Sequence, residues 1–170
     1  MNEALETVLI LDFGSQYTQL IARRCREEGV FSRIERFDFP LREIEALSPV
    51  GIILSGGPKS VYDVDAPQRW EDLAGLNVPM LGICYGMHVM VRGEGGKVLP
   101  SAKREYGRAV VDVTGGSRLL EGLDGPQPVW MSHRDRAERL PVGWRTVGVS
   151  DSGIIAAVLP PRRGFFGVQF

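Results

Sequence analysis

Gly82-Ile83-Cys84-Tyr85-Gly86 sets a thiol between two glycines. Here the apolar run 78–83 gives way to residues 87–91, a segment able to form a helix. This is the thiol counterpart of the nucleophile elbow Gly-x-Ser-x-Gly. A nucleophile on so tight a strand-to-helix turn has strained dihedrals, so its neighbours must lack side chains. The helix that follows presents unpaired N–H groups and partial positive charge, which favour a thiolate over a thiol. Cys84 is therefore the candidate nucleophile and is expected to be ionised. The competing reading is a buried structural cysteine, because free cysteine is among the most buried residue types.

The run 50–55 ends in Gly56-Gly57-Pro58. A thiolate attacking a carbonyl creates an oxyanion that two preorganised backbone N–H groups would stabilise. Tyr85, next after the nucleophile, would supply one. Gly57 would supply the other, since a Cβ there would block the approach. An ordinary glycine turn is the alternative. A pyrophosphatase loop of the Ser-Gly-Gly-x-Asp-Ser kind is discounted, because Pro58-Lys59-Ser60 follows Ser55-Gly56-Gly57 and the aspartate is missing.

A thiol hydrolase needs a base, and the chain offers two histidines. His88 falls one helical turn after Cys84, so it could share a face with the thiol or pair with it as an ion. His133 lies in Trp130-Met131-Ser132-His133-Arg134-Asp135 and is expected just after a strand. A purely structural histidine is the alternative for both. Asp12-Phe13-Gly14 matches a kinase magnesium motif, but no companion motif accompanies it and the match is accidental.

The elements that must position these groups follow from pattern. Residues 7–11 read as a buried strand, 12–15 as a turn, and 17–28 as a helix stopped at Gly29. Strands at 31–37, 50–55 and 78–83 alternate with short helices at 41–47 and 68–76. Such alternation implies a parallel sheet with helices on both faces and ligands at the carboxyl ends of its strands, where Cys84 would sit. Short strand candidates at 97–99, 108–113, 128–131, 146–149, 154–159 and 165–170 imply antiparallel additions around that core. The fold class is α/β, a three-layer open and mostly parallel sheet, with residues 1–170 as one domain.

A net charge of −1 gives no electrostatic footprint for nucleic acid. Arginines at 23, 24 and 26 and at 134, 136 and 139 are interleaved with acids, as on solvated faces. The acidic start at 1–6 has no apolar leader, and no apolar stretch approaches the roughly 18 residues of a membrane span. Two cysteines make neither a disulfide framework nor a zinc site. A cytoplasmic protein with no metal and no membrane or nucleic-acid partner is expected.

Taken in order, Asp12-Phe13-Gly14-Ser15-Gln16-Tyr17, Ser55-Gly56-Gly57-Pro58, Gly82-Ile83-Cys84-Tyr85-Gly86-Met87, Arg104-Glu105-Tyr106-Gly107, Trp130-Met131-Ser132-His133 and Phe166-Gly167-Val168-Gln169-Phe170 resemble the class I, triad-type glutamine amidotransferase domains, whose fold is flavodoxin-like. The opening motif is most similar to the GMP synthetase branch. The resemblance implies that Cys84 attacks the glutamine side-chain amide to give a thioester and ammonia, with Gly57 and Tyr85 as oxyanion donors. It implies glutamine-binding roles for Gly56, His88, Ser132, His133 and Asp135, so His133 becomes a binding residue and not the base. It implies a synthetase (ATP pyrophosphatase) partner domain, in cis or in trans, that uses ATP and magnesium to aminate XMP; this domain itself would carry no cofactor.

The family continues from Gly-Val-Gln-Phe into His-Pro-Glu, which supplies the base and its orienting carboxylate, whereas this sequence stops at Phe170. His88 also stands where the family has a glutamine that contacts substrate. Gly93 and Gly95 suggest a short or frayed helix after the elbow. The expectations are a glutaminase domain of low activity or, alternatively, an inactive binding or regulatory module, or the glutaminase of another class I amidotransferase.

Overall fold

A computed structural model of the chain describes residues 6–170. The side chains of 102–105, including Arg104 and Glu105 of the Arg-Glu-Tyr-Gly motif, lie outside the described residues, as does most of the acidic start. Strand β1 (Thr7–Asp12), helix α1 (Thr18–Glu27), β2 (Phe31–Arg36), α2 (Leu41–Leu47), β3 (Gly51–Leu54), α3 (Trp70–Leu73), β4 (Met80–Ile83) and α4 (Tyr85–Gly93) alternate. Strands β5 (Lys97–Val113), β6 (Gly125–Arg139), β7 (Arg145–Ser150), β8 (Ile155–Leu159) and β9 (Phe165–Val168) follow. They form one nine-stranded sheet in the order β2-β1-β3-β4-β9-β8-β7-β5-β6. The four pairings from β2 to β9 are parallel and the four from β9 to β6 antiparallel.

The apolar run in β1 is buried because both of its faces are covered. Leu9 and Leu11 pack with Ile44 of α2, Trp70 and Leu73 of α3, and Met87 and Met90 of α4. Ile10 points to the other face. Helix α1 covers that face, since Ser32, paired with Val8, donates its hydroxyl to the Ala22 carbonyl at 2.9 Å. Helices therefore flank both faces. Helix α1 ends at Gly29, whose φ of +79° suits a residue without a Cβ. Among the described residues, no helix is long and apolar enough to cross a membrane.

Three expectations need correction. Residues 97–99 and 108–113 are the two ends of a single strand, the 17-residue β5, bent by an irregularity between Pro100 and Glu105. Residues 128–131 are the middle of the 15-residue β6, so His133 lies within a strand and not after one. Proline and glycine, read as strand breaks, are tolerated here because β6 is an edge strand. The helix expected over 68–76 is the four-residue α3, Trp70–Leu73. Helix α4 is short, as expected: nine residues ending at Gly93, with Gly95 beyond it at φ +86°. Gly93 is a packing requirement: a Cβ there would fall 2.7 Å from Trp70 Cβ and closer still to the indole. Trp70 Nε1 in turn donates to the Glu94 carboxylate at 2.8 Å.

Helix propensity alone makes Gly93→Ala stabilising by about 1 kcal/mol. The Trp70 contact reverses the sign. We expect a loss of about 1–3 kcal/mol in urea unfolding, as for overpacked sites.

Candidate active site

Cys84 joins β4 to α4 with φ 51° and ψ −107°, one of two described non-glycine residues at positive φ. Its N–H donates to the Val168 carbonyl at 2.7 Å, and the Gly86 N–H to the Ser55 carbonyl at 3.1 Å. These bonds tie the turn to β9 and to the end of β3. The flanking glycines are there because the turn is crowded. A Cβ on Gly82 would lie 2.7 Å from the Met87 nitrogen, and one on Gly86 would collide with the Leu54 carbonyl.

Gly57 is also sterically required, for a reason other than the one expected. Its Cβ would meet the Phe13 carbonyl oxygen at 2.6 Å, so the constraint comes from the turn after β1 and not from an approaching ligand. That turn is built by Asp12. Its carboxylate accepts from the Gly14 N–H at 2.9 Å, the Ser15 N–H at 3.2 Å and the Thr18 hydroxyl at 2.8 Å. The Ser55 hydroxyl accepts from the Phe13 N–H at 2.9 Å, closing the two loops together.

A cavity of about 320 Å³ opens over the elbow, and all eight candidate residues line it: Gly56, Gly57, Cys84, Tyr85, His88, Ser132, His133 and Asp135. Sequence reasoning placed them on separate elements; the β5–β6 ribbon carries the last three over the carboxyl end of β4. Tyr17, Tyr106 and Trp130 line the same cavity and are at least half exposed. Sequence reasoning gave these aromatics no role, although their positions within the family motifs were a usable signal.

The sulfur does not rest as a thiolate. Burial pushes the Cys84 thiol up to about 11, while the Tyr85 backbone N–H and the Gln169 side chain pull it down and the Asp135 carboxylate adds to the rise. The expected pull of the helix terminus is real but smaller than the desolvation. Besides the Tyr85 N–H, the sulfur's hydrogen-bonding neighbours are Gln169 Nε2 at 3.4 Å and the Ser132 carbonyl at 3.9 Å. Among the described residues no imidazole is one of them.

His88 is buried and faces Gln169, with Nε2 2.7 Å from Gln169 Oε1. Burial drives its pKa down to about 4, against a smaller upward pull from Gln169 and Asp135. A neutral ring one carboxamide away from the sulfur excludes the conjectured His88–Cys84 ion pair. His133 turns Nδ1 toward the Asp135 carbonyl at 3.0 Å. Asp135 is buried, and its Oδ2 has no hydrogen-bond partner among the described residues. Gln169, almost fully buried between His88 and the sulfur, belongs to the last of the family motifs, but sequence reasoning gave it no function.

The family model described as glutamine amidotransferase class-I matches residues 9–170. The chain belongs to the class-I glutamine amidotransferase family. It is 48% identical over 163 residues to a GMP synthase [glutamine-hydrolyzing] of Campylobacter lari, covering 96% of this chain and 32% of that protein. It is 47% identical over 166 residues to the enzyme of the same name from Thermosipho melanesiensis, covering 98% and 32%. The chain thus spans about a third of the length of the curated relatives it matches. Among solved structures, a candidate GMP synthase subunit of Thermoplasma acidophilum superposes with a TM-score of 0.85 at 25% identity, covering 98% of this chain and 83% of that one. A glutamine amidotransferase of Thermotoga maritima superposes with a TM-score of 0.74 at 18% identity, covering 99% and 76%, and shares the fold.

The depressed His88 pKa has a consequence for stability. Between about 4 and 6.5 the unfolded chain binds a proton at His88 and the folded chain does not, so stability rises with pH across that window and falls on acidification through it. Urea unfolding at pH 4.5 and 7 should show this loss. It should be visibly smaller in His88→Gln, which has nothing to titrate.

Proposed function

We propose that this chain is the glutamine-hydrolysing domain of a GMP synthase, with Cys84 as its nucleophile. The observation that carries the reading is the elbow itself: a thiol at φ 51° facing a cavity beside the first N–H of α4. The strained turn points the sulfur toward the cavity, where a bound molecule could reach it.

A base takes the thiol proton, and the thiolate attacks the side-chain carbonyl carbon of glutamine. The oxyanion is held by the Tyr85 and Gly57 N–H groups. Collapse expels ammonia and leaves a glutamyl thioester, which water hydrolyses to glutamate while the thiol regains its proton. The sum is glutamine plus water to glutamate plus ammonia. Gly56, Ser132 and His133 wall the substrate. The buried Asp135 Oδ2, without a hydrogen-bond partner among the described residues, suits the α-ammonium group, and pairing there would also offset a charge that adds, less than burial does, to the rise of the thiol pKa. The names and lengths of the relatives support a synthetase domain as the receiver of ammonia, aminating XMP.

Among the described residues no imidazole adjoins the thiol, whose pKa burial raises, and this supports the expectation of slow turnover by residues 1–170. A general base contributes about 10²–10⁴-fold. Turnover of glutamine should therefore rise by that order in a chain extended past Phe170 with His-Pro-Glu. An electrophilic glutamine analogue should label Cys84, with glutamine protecting it and Cys84→Ala abolishing it. Equal turnover with and without the extension would overturn the assignment of the missing base. Absence of glutamine protection in both would favour an inactive binding module.

A further inference from the structure

Gln169 stands between two groups that make opposite demands on its carboxamide. Oε1 lies 2.7 Å from His88 Nε2 and Nε2 lies 3.4 Å from the Cys84 sulfur. With Oε1 toward the ring, as here, a carbonyl oxygen only accepts, and this arrangement requires the neutral Nε2–H tautomer of His88. The backbone on both sides is fixed. Gln169 N–H donates to the Ala156 carbonyl at 2.8 Å, and His88 N–H to the Cys84 carbonyl at 3.1 Å. The carboxamide retains one freedom, rotation by half a turn. Rotated, it would turn Oε1 to the sulfur, which a thiol tolerates and a thiolate does not.

We propose that His88 is a positioning residue: its Nε2–H holds the Gln169 carboxamide with the NH₂ toward Cys84, so that the thiolate forms against a fixed donor. What matters at position 88 is an N–H donor, not a charge. Other groups around the sulfur do not substitute for it. From β6, Asp135 is an anion that opposes ionisation, and the His133 Nδ1 is directed at the Asp135 carbonyl. From α4, the Tyr85 hydroxyl donates to the Pro67 carbonyl at 2.8 Å. The Tyr85 backbone N–H reaches the sulfur, and in the proposed reaction it serves the oxyanion. The role explains why an imidazole can occupy a site where the resemblance implies a substrate-contacting glutamine, since both side chains offer an N–H. It rests on Cys84 being the nucleophile.

The test reads the thiol with no glutamine present. Iodoacetamide reacts with Cys84 at a rate proportional to its thiolate fraction, and peptide mass spectrometry separates Cys84 from Cys25. Between pH 7 and 9.5 the wild-type rate should climb tenfold per pH unit. Gln169→Glu, isosteric, removes the donor and sets a carboxylate against the sulfur, so it should react about tenfold or more slowly at every pH. His88→Leu should slow the reaction in the same direction, and His88→Gln should restore it to near the wild-type rate. Circular dichroism and melting confirm folding in each case. If His88→Leu does not fold, His88→Met, likewise without an N–H, takes its place. Wild-type rates in Gln169→Glu or in folded His88→Leu, or a His88→Gln rate as low as that of Gln169→Glu, would overturn the proposal. Because glutamine protection of the same label reports on the amidotransferase reading separately, either can fail without the other.

Discussion

Cys84 is held at φ 51° and ψ −107°, where a residue with a side chain costs about 1–3 kcal/mol. The surrounding structure is arranged to hold it there. Parallel strands β3, β4 and β9 bring the carbonyls of Ser55 and Val168 to the amides of Gly86 and Cys84. The glycines on either side admit the Met87 backbone and the Leu54 carbonyl. Releasing the turn would mean breaking hydrogen bonds at the centre of a sheet, a larger loss than the strain. The sulfur is thereby fixed at the carboxyl edge of the parallel half, with the first N–H groups of α4 beneath it.

Two halves of the sheet divide the work. The parallel half sets Cys84, Tyr85 and Gly57, because its loops between β1 and α1, after β3, and between β4 and α4 all end at the same edge. The antiparallel half, through the long β5–β6 ribbon, brings Ser132, His133 and Asp135 over that edge to make a cavity. Burial raises the thiol to about 11. Burial at the cavity and the donors aimed at the sulfur, the Tyr85 N–H and the Gln169 carboxamide, thus act in opposite directions on the thiol.

The parallel half was legible in the sequence because each element there carries its own local signal. Apolar runs bounded by glycine placed β1, β3 and β4, and the Gly82–Gly86 spacing placed the elbow. The ribbon was not, because β5 and β6 owe their length to pairing with each other, and Pro100, Pro126 and Pro128 read locally as breaks. The site residues came from motif order, while their chemistry depended on distance and burial. No spacing rule reveals that His88 is neutral, or that the thiol is protonated, since both follow from water excluded by residues far away in the chain.

Gln169 shows why sequence proximity to a motif is a poor guide to role. It lies 85 residues from Cys84, on the far side of the antiparallel strands, and touches the sulfur because β9 runs parallel beside β4. That pairing puts Gly167 level with Gly82 and Val168 level with Ile83, so the next residue on β9 reaches the elbow. A one-residue slip would turn Gln169 to the opposite face and present an apolar side chain to the thiol. The register is fixed by Gly167, whose missing Cβ leaves room for Met87 of α4 on one side and Val158 of β8 on the other. The packing of a glycine among apolar side chains therefore decides which atom the sulfur meets.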